Sequence, residues 1–208
     1  VREAEGPFGE YPRYYGPESP KPVIELSCVC RRSQAMFHTI VPATMEHFLL
    51  GGIPREAGLF ELIKNVVPTV KAVHLTEGGS CRYHAVISID KKNEGEGKNA
   101  IMAAFSSSAE IKHVVCVDSD VDIFNMTDVE WAIATRVQAS RDVFIIRDAM
   151  GNALDPSSHH GVSDKMGIDA TVPLGALCFE KNAPGRFERI KIPYQSDMRL
   201  DDYIVKGG

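Results

Sequence analysis

The sequence lacks an excess of positive charge and any long apolar run. Its 208 residues carry a formal net charge of -5 at pH 7, whereas nucleic-acid-binding domains normally present a basic face. No apolar run approaches the roughly 20 residues that span a bilayer, and no segment resembles a signal peptide. These absences argue against nucleic-acid binding and membrane spanning, and we predict a cytoplasmic globular protein.

Cysteine is scarce and odd in number. Most of the five cysteines lie inside apolar runs, which predicts buried free thiols in a reducing compartment. They are Cys28, Cys30, Cys81, Cys116 and Cys178. Cys28 and Cys30 are closely spaced, but no second Cys or His pair follows at the spacing of a zinc site. We therefore predict no metal site within this chain.

Two loops resemble ligand-binding motifs without matching them. Residues 91–98 are charged and rich in glycine, but they lack the Gly-x-x-x-x-Gly-Lys-Ser/Thr spacing of a P-loop. The acidic run at Asp118 fails as a calcium loop, because Ile123 replaces the required glycine. As an Asp-x-Asp motif, Asp118 and Asp120 would hold the metal of a sugar-nucleotide transferase. We favour the structural alternative, in which these acids cap the next helix and face water.

Two carboxylates near the start of the chain flank a turn-forming segment. Glu5 and Glu10 enclose Gly-Pro-Phe-Gly, in which Pro7 opposes helix formation and Gly9 accepts a positive φ without steric cost. A turn there would bring the two acids within interaction range. Two close carboxylates titrate as a pair in which one stays protonated, as a general acid requires. A surface turn with two solvated acids is the structural alternative.

The remaining hydrophobic patterns predict a mixed α/β layer structure. Strands are predicted over residues 23–31, 70–75 and 81–89, the last two as an antiparallel pair, and buried strands are predicted over 113–117 and 143–146. Helices are predicted from Thr44 to Gly51-Gly52, from Pro54 to Pro68, over 100–105, and from a capping box at 127–130. A short tail helix is predicted over 199–205.

Five stretches each combine several specific residue types in a fixed order. They are 5–15 (EGPFGEYPRYY), 46–56 (EHFLLGGIPRE), 74–84 (HLTEGGSCRYH), 118–136 (DSDVDIFNMTDVEWAIATR) and 165–174 (KMGIDATVPL). Over nearly the whole chain they resemble the UbiD family of decarboxylases, which use prenylated FMN. The resemblance implies the end of a flavin-binding, β-barrel-like domain over 1–42. It implies a mixed-sheet α/β oligomerisation domain over 43–180 and a tail over 181–208.

The resemblance also implies an activity. Family members are carboxy-lyases that reversibly decarboxylate an aromatic or α,β-unsaturated acid through a covalent adduct with the prenylated flavin, which carries the hard chemistry. The second acid of the family motif, here Glu10, donates the proton after carbon dioxide has left. The first acid, here Glu5, joins a network with an arginine from an upstream segment. An assembly module without activity of its own is the alternative.

The remaining expectations concern contacts, cofactors and partners. The resemblance implies substrate contacts at Tyr11, Val41 and Leu154; for the last two, core packing is the structural alternative. Family members need a divalent metal (Mn or Mg) and potassium, a flavin prenyltransferase supplies their cofactor, and they form homo-oligomers, dimers or hexamers. Their flavin-phosphate and metal positions precede the acid motif, so we expect the natural protein to extend upstream of Val1.

Overall fold

Two short hairpins precede a five-stranded mixed sheet in the computed structural model, which describes residues 1–174, 187 and 189–190. In chain order the elements are β1 (Arg2–Glu5), β2 (Phe8–Gly9), β3 (Tyr15–Gly16), β4 (Ser19–Pro22), α1 (Met45–Val66), β5 (Val70–Leu75), β6 (His84–Ile89), α2 (Glu96–Ser107), β7 (His113–Asp118), α3 (Met126–Arg136), α4 (Ala139–Asp142), β8 (Val143–Met150) and β9 (Val162–Asp169). A single 3₁₀ turn, Glu77–Gly79, lies between β5 and β6. The predicted mixed α/β class is confirmed; within the described residues no barrel closes.

The sheet combines parallel and antiparallel pairs in the order β5-β6-β7-β9-β8. β5 and β6 are antiparallel, as predicted, and Val73 lies opposite Ile87. β6, β7 and β9 run parallel, and β8 returns antiparallel along β9. Parallel neighbours need a crossover connection, which α2 provides between β6 and β7.

Alternate residues of β7 face two different apolar layers. Val114 and Cys116 pack in the larger core together with residues of α1 and α2, such as Ile101. Val115 and Val117 pack in the smaller core together with α3. Successive side chains of a strand point to opposite faces, so a strand covered on both faces needs an uninterrupted apolar run. The prediction of a buried strand over 113–117 is confirmed.

The acid motif lies in two nested hairpins. β1 pairs with β4, which places Glu5 opposite Ser19, and β2 pairs with β3, which places Phe8 opposite Gly16. The inner hairpin turns at residues 10–14. The strand predicted over 23–31 is wrong: these residues are irregular and exposed, because no strand in the described ranges lies beside them to complete a ladder.

One continuous helix of 22 residues replaces the two helices predicted on either side of Gly51-Gly52. Pro54 lies inside this helix and not at a first turn. The glycines do not end a helix; they allow close packing, since a Cβ on Gly52 would lie only 2.7 Å from the Cβ of Cys81. Close approach of a neighbouring element is a second common reason for glycine in a helix.

The structure differs from the sequence-based expectations at three further elements. β8 was predicted to be buried, but it lies at the edge of the sheet and most of its residues are exposed. β9 was not predicted, because Ser163, Lys165 and Gly167 occupy its inward positions in place of large apolar residues. The cap of α3 is Asn125, whose side chain accepts a hydrogen bond from the N–H of Thr127, so the capping box at 127–130 is wrong.

Backbone contacts group Val1–Val172 into one unit and the residues from Pro173 onward into another. The tail helix predicted over 199–205 and Cys178 lie outside the described residues. The boundaries at 42/43 and 180/181 stay predictions. None of the described helices is both long enough and apolar enough to cross a membrane.

Candidate functional site

Glu10 directly follows β2 at the tip of the inner hairpin. Its N–H donates to the carbonyl of Tyr14 (2.9 Å) and its carbonyl accepts from the N–H of Arg13 (3.0 Å), so its main chain is held on both sides. A Cβ on Gly16 would lie 3.1 Å from the Cγ of Glu10, so glycine leaves room for this side chain. The half-buried carboxylate has no hydrogen bond or ion pair to another described residue.

Glu5 occupies the exposed end of β1. In the part of the chain that the structure describes, no hydrogen bond joins the carboxylates of Glu5 and Glu10. Arg13 does not pair with them either: its guanidinium lies 5.1 Å from the ring centroid of Phe48. The coupled acid pair therefore stays a prediction.

Tyr11 is buried, with only 6% of its surface exposed, and its ring contacts two neighbours. The guanidinium carbon of Arg82 lies 4.5 Å from the ring centroid of Tyr11, and the ring of Tyr83 lies 5.6 Å away. The hydroxyl of Tyr83 donates to that of Tyr11 (3.1 Å). Burial, together with the negative charge of Glu110, raises the pKa of Tyr11 far above its ordinary value. Tyr11 therefore stays protonated and remains a hydrogen-bond donor.

The carboxylate of Glu110, in the loop between α2 and β7, joins several walls of this site. Its Oε1 accepts from the side-chain amide of Asn152 (2.8 Å) and, at 3.4 Å, from the hydroxyl of Tyr11. Its Oε2 lies 3.4 Å from a guanidinium nitrogen of Arg55 in α1. A charged acceptor shared by three donors fixes their relative positions.

Beside this carboxylate lies a pocket of about 380 Å³ that contains two arginines. A Cβ on Gly51 would lie 2.6 Å from Nη1 of Arg82 and 2.7 Å from Nη1 of Arg55, so the two guanidinium groups converge on one point beside α1. Arg82 is 8% exposed, and its Nη1 is buried without a hydrogen-bond partner in the described residues. Glu110 balances one of the two positive charges.

The other walls of this pocket are largely apolar. They are Gly58, Leu59, Leu62, Leu75 and Ile111, with Ser107 and Ser108 as further polar groups. An apolar cavity with one unbalanced positive charge suits an organic molecule that carries an anionic group.

The structure brings two of the three predicted substrate contacts into one network. The N–H of Leu154 donates to the side-chain oxygen of Asn152 (2.8 Å), which connects Leu154 through Glu110 to Tyr11. Leu154 is half-buried against the larger core. Val41 lies apart from this network: it is 62% exposed, just before α1.

Sequence reasoning missed four residues of this network, Arg55, Arg82, Glu110 and Asn152. Arg55 and Arg82 lie inside two of the stretches that carry the family resemblance, and both come close to a Gly-Gly pair. A charged residue beside glycines in an otherwise apolar stretch was the available signal. Glu110 had none, because its loop has no periodicity.

Asp118 and Asp120 form an ion-pair cluster with Arg136, whose side chain is 1% exposed. Asp120 accepts two hydrogen bonds from this guanidinium, at 3.1 and 2.6 Å. Asp118 also accepts from the main chain of Val172 (2.6 Å), although burial raises its pKa. Because Arg136 already occupies both carboxylates, their geometry favours a structural role over the metal site of a transferase. The predicted role as helix caps is wrong, since Asn125 caps α3.

The cysteines divide into two kinds. Cys81 and Cys116 are buried free thiols, as predicted, whereas Cys28 and Cys30 are exposed on the irregular segment, which corrects the prediction for these two. Their sulfur atoms lie 3.7 Å apart. Among the described residues, no group of three His, Cys, Asp or Glu side chains is arranged to hold a metal ion.

Two family models, both named for a carboxy-lyase, match this chain. The family model described as 3-octaprenyl-4-hydroxybenzoate carboxy-lyase C-terminal domain matches residues 48–170, and the model of the Rift-related domain of the same carboxy-lyase matches residues 1–45. The chain belongs to the UbiD family.

Individual relatives agree with this assignment. The UbiD-class enzyme HmfF from Pelotomaculum thermopropionicum, solved in complex with FMN, is 65% identical with a TM-score of 0.91, over 98% of this chain and 44% of that one. An evolved dimeric form of HmfF, solved with prFMN, is 56% identical with a TM-score of 0.82, over 98% and 42%. Anhydromevalonate phosphate decarboxylase from Methanothermobacter thermautotrophicus is 47% identical over 177 residues, which are 85% of this chain and 42% of the relative. The chain thus spans less than half the length of these relatives.

The side chains described here suit the acid end of a flavin-dependent site. Glu10 offers a carboxylate that is not engaged by another described residue, as a proton donor to a bound molecule requires. The described ranges hold no three-ligand cluster for a metal ion, so we assign no residue of this chain to the flavin phosphate or its metal.

Proposed function

We propose that the full-length protein is a reversible decarboxylase of an aromatic or α,β-unsaturated carboxylic acid, with prenylated FMN as its cofactor. Membership of the UbiD family supports this proposal, as do the flavins in the HmfF structures. We also propose that the protein uses a divalent metal (Mn or Mg) and potassium, and that a flavin prenyltransferase supplies its cofactor. The residues that bind these cofactors would lie in the part of the protein that precedes the acid motif.

Glu10 is the proposed proton donor. The prenylated flavin, when bound, supplies the electron sink for the loss of carbon dioxide. The bond between the substrate carbon and its carboxylate breaks, and that carbon then takes the proton of Glu10, which is restored from solvent. A fixed main chain and a carboxyl group without a partner among the described residues support this role. Glu5 is proposed to tune the protonation of Glu10 through an arginine of the preceding part.

Tyr11, Val41 and Leu154 are the proposed substrate contacts. Tyr11 follows the donor in sequence, and its ring packs under Arg82, beside the two-arginine pocket. Leu154 is linked to the same network through Asn152. Val41 is exposed at the start of α1, where a bound molecule could cover it.

The two-arginine pocket is the observation that best defines the substrate class. We propose that the substrate carries a second anionic group, bound by Arg82 and Arg55 at the end away from the reacting carboxylate. A buried guanidinium donor without an acceptor costs free energy, which a ligand carboxylate or phosphate would recover with a charge-assisted hydrogen bond. The name of the relative anhydromevalonate phosphate decarboxylase describes such an acid, since its substrate also carries a phosphate.

The test of the donor is Glu10→Gln in the full-length enzyme loaded with prenylated FMN. Glutamine keeps the size of the side chain but cannot donate a carboxyl proton, so we expect kcat to fall by about 10²-fold or more while flavin absorbance is retained. Glu3→Gln, on the exposed face of β1, is the matched control and should leave kcat unchanged. Near-normal turnover by the Glu10→Gln enzyme would refute the assignment.

A further inference from the structure

Glu110 contacts three separate elements of the site. Through Tyr11 it reaches the hairpin that carries Glu10, through Arg55 it reaches α1, and through Asn152 it reaches the loop that carries Leu154. The side chain is 19% exposed, so solvent screens these contacts only in part.

The loop that carries Glu110 is itself held by a buried lysine. Nζ of Lys165, on β9, donates to the carbonyls of Ile111 (2.7 Å), Ala109 (3.2 Å) and Ser108 (3.4 Å), which lie on both sides of Glu110. Lys165 is 4% exposed, and no carboxylate of the described residues lies within ion-pair distance of its ammonium group.

Burying a lysine whose ammonium group bonds only to carbonyls costs free energy. Burial lowers the pKa of Lys165, because removal from water disfavours the charged ammonium group. The ammonium group also lies 5.6 Å from the ring centroid of Phe105. Its three hydrogen bonds constrain the position of the loop that carries Glu110.

We propose that Glu110 is a positioning residue of the decarboxylase, and that Lys165 fixes Glu110 by holding residues 108–111. Glu110 sets the distance between the hairpin of Glu10 and the guanidinium of Arg55, and hence between the reacting carboxylate and the second anionic group of the substrate. This inference rests on the proposed function for its kinetic consequence, but the contacts that carry it are independent of that function.

Two substitutions of Glu110 separate the effect of its charge from the effect of its hydrogen bonds in the full-length, flavin-loaded enzyme. Glu110→Gln keeps an acceptor for Asn152 and Tyr11 but removes the charge beside Arg55, so we expect kcat within about threefold of wild type and a changed KM for an acid with a second anion. Glu110→Ala releases all three partners, so we expect kcat to fall at least about tenfold, because small displacements of catalytic groups are costly. Equal kinetics for the two variants would contradict positioning.

Lys165→Met tests the support of the loop without removing Glu110. Methionine matches the length of lysine but cannot bond to the three carbonyls, so kcat should fall as it does in Glu110→Ala. Lys98→Met is the matched control, since Lys98 is a partly buried lysine that donates to the single carbonyl of Arg141, away from this network. It should leave kcat unchanged.

Amide hydrogen exchange gives a readout that does not depend on turnover. We expect faster exchange over residues 152–158 in Glu110→Ala, and over 108–111 and 152–158 in Lys165→Met, with unchanged protection of β7. Unchanged exchange in both segments would overturn the inference. If wild-type enzyme showed no decarboxylation, the proposed function would fail while this measurement still decided the positioning role.

Discussion

Nη1 of Arg82 is buried without an acceptor among the described residues, and such a nitrogen reduces the stability of the ligand-free protein and favours binding of an anion. Arg82→Gln removes the charge but keeps a polar side chain. We expect KM for an acid with a second anionic group to rise about 10- to 100-fold, the range for one lost charge-assisted hydrogen bond. The kcat/KM of an analogue in which that group is neutral should change by less than about threefold. Steady-state kinetics with the two substrates measures the difference.

Two controls accompany Arg82→Gln: one tests the loss of a positive charge, and the other tests the chemistry of the anionic group. Arg2→Gln removes a positive charge from the exposed strand β1 and should affect neither substrate. A phosphorylated acid and a dicarboxylic acid of the same length then show which anion Arg82 and Arg55 prefer. Equal losses for the charged and the neutral substrate would mean that Arg82 supports the fold and does not select an anion.

His84 makes the stability of the protein depend on pH. Burial, followed by the nearby His113 and His74, lowers its pKa to about 4, whereas an unfolded chain has about 6.5. The folded state therefore prefers neutral His84, and this contribution is complete above pH 6.5 and is lost as the pH falls toward 4. It amounts to about 3 kcal/mol.

The measurement is urea unfolding at pH 7 and at pH 4 for the wild type and for His84→Gln. The wild type should lose about 3 kcal/mol more of its free energy of unfolding than the variant does over this range. The same loss in both proteins would show that other groups, such as His113, dominate the acid response.

At the scale of elements, the glycines of α1 have opposite roles that substitution can separate. Gly52→Ala would place a Cβ 2.7 Å from the Cβ of Cys81, so we expect a destabilisation of about 1–3 kcal/mol from overpacking. Gly58 lies in the same helix with no atom within 4 Å of its added Cβ, so Gly58→Ala should stabilise by up to about 1 kcal/mol through helix propensity. Thermal unfolding of the two variants measures both effects, and the same sign for both would contradict this account of Gly52.

The elements that were predictable are those with regular apolar periodicity. β5, β6 and β7 alternate or run continuously apolar, so their existence and the antiparallel pairing of β5 with β6 followed from sequence, whereas the parallel pairing of β6 with β7 did not. β9 was missed because Lys165 and Gly167 turn inward for tertiary reasons, to hold a loop and to admit the side chain of Phe144. The break predicted at Gly51-Gly52 failed because the packing of α1 against Cys81 overrides the helix-ending tendency of glycine.

For the molecule as a whole, the family resemblance predicted the class of protein, and local patterns did not predict the network around Glu110. Its members come from the inner hairpin, α1, the turn before β6, and the loops after α2 and β8, which no sequence periodicity relates. Only the chain fold brings them together. Glu10 and Tyr11 were identified because they belong to a compact motif. The roles of Arg55 and Asn152 depend on contacts with Glu110, which is more than 40 residues away from each of them in sequence.

The edge of the sheet predicts how copies of the protein associate. β8 has no neighbour on its outer side among the described residues, and it exposes Ile145 (59%) and Met150 (75%). An unpaired apolar edge strand promotes association, and we expect the protein to form a homo-oligomer that covers β8 with a second copy.

Ile145→Lys should then lower the mass measured by analytical ultracentrifugation, because it places a charge in the covered interface. Val66→Lys, at a similarly exposed position (54%) at the end of α1, is the control and should leave the mass unchanged. A wild type that stays monomeric at tens of micromolar, or equal dissociation of the two variants, would show that β8 is not the interface.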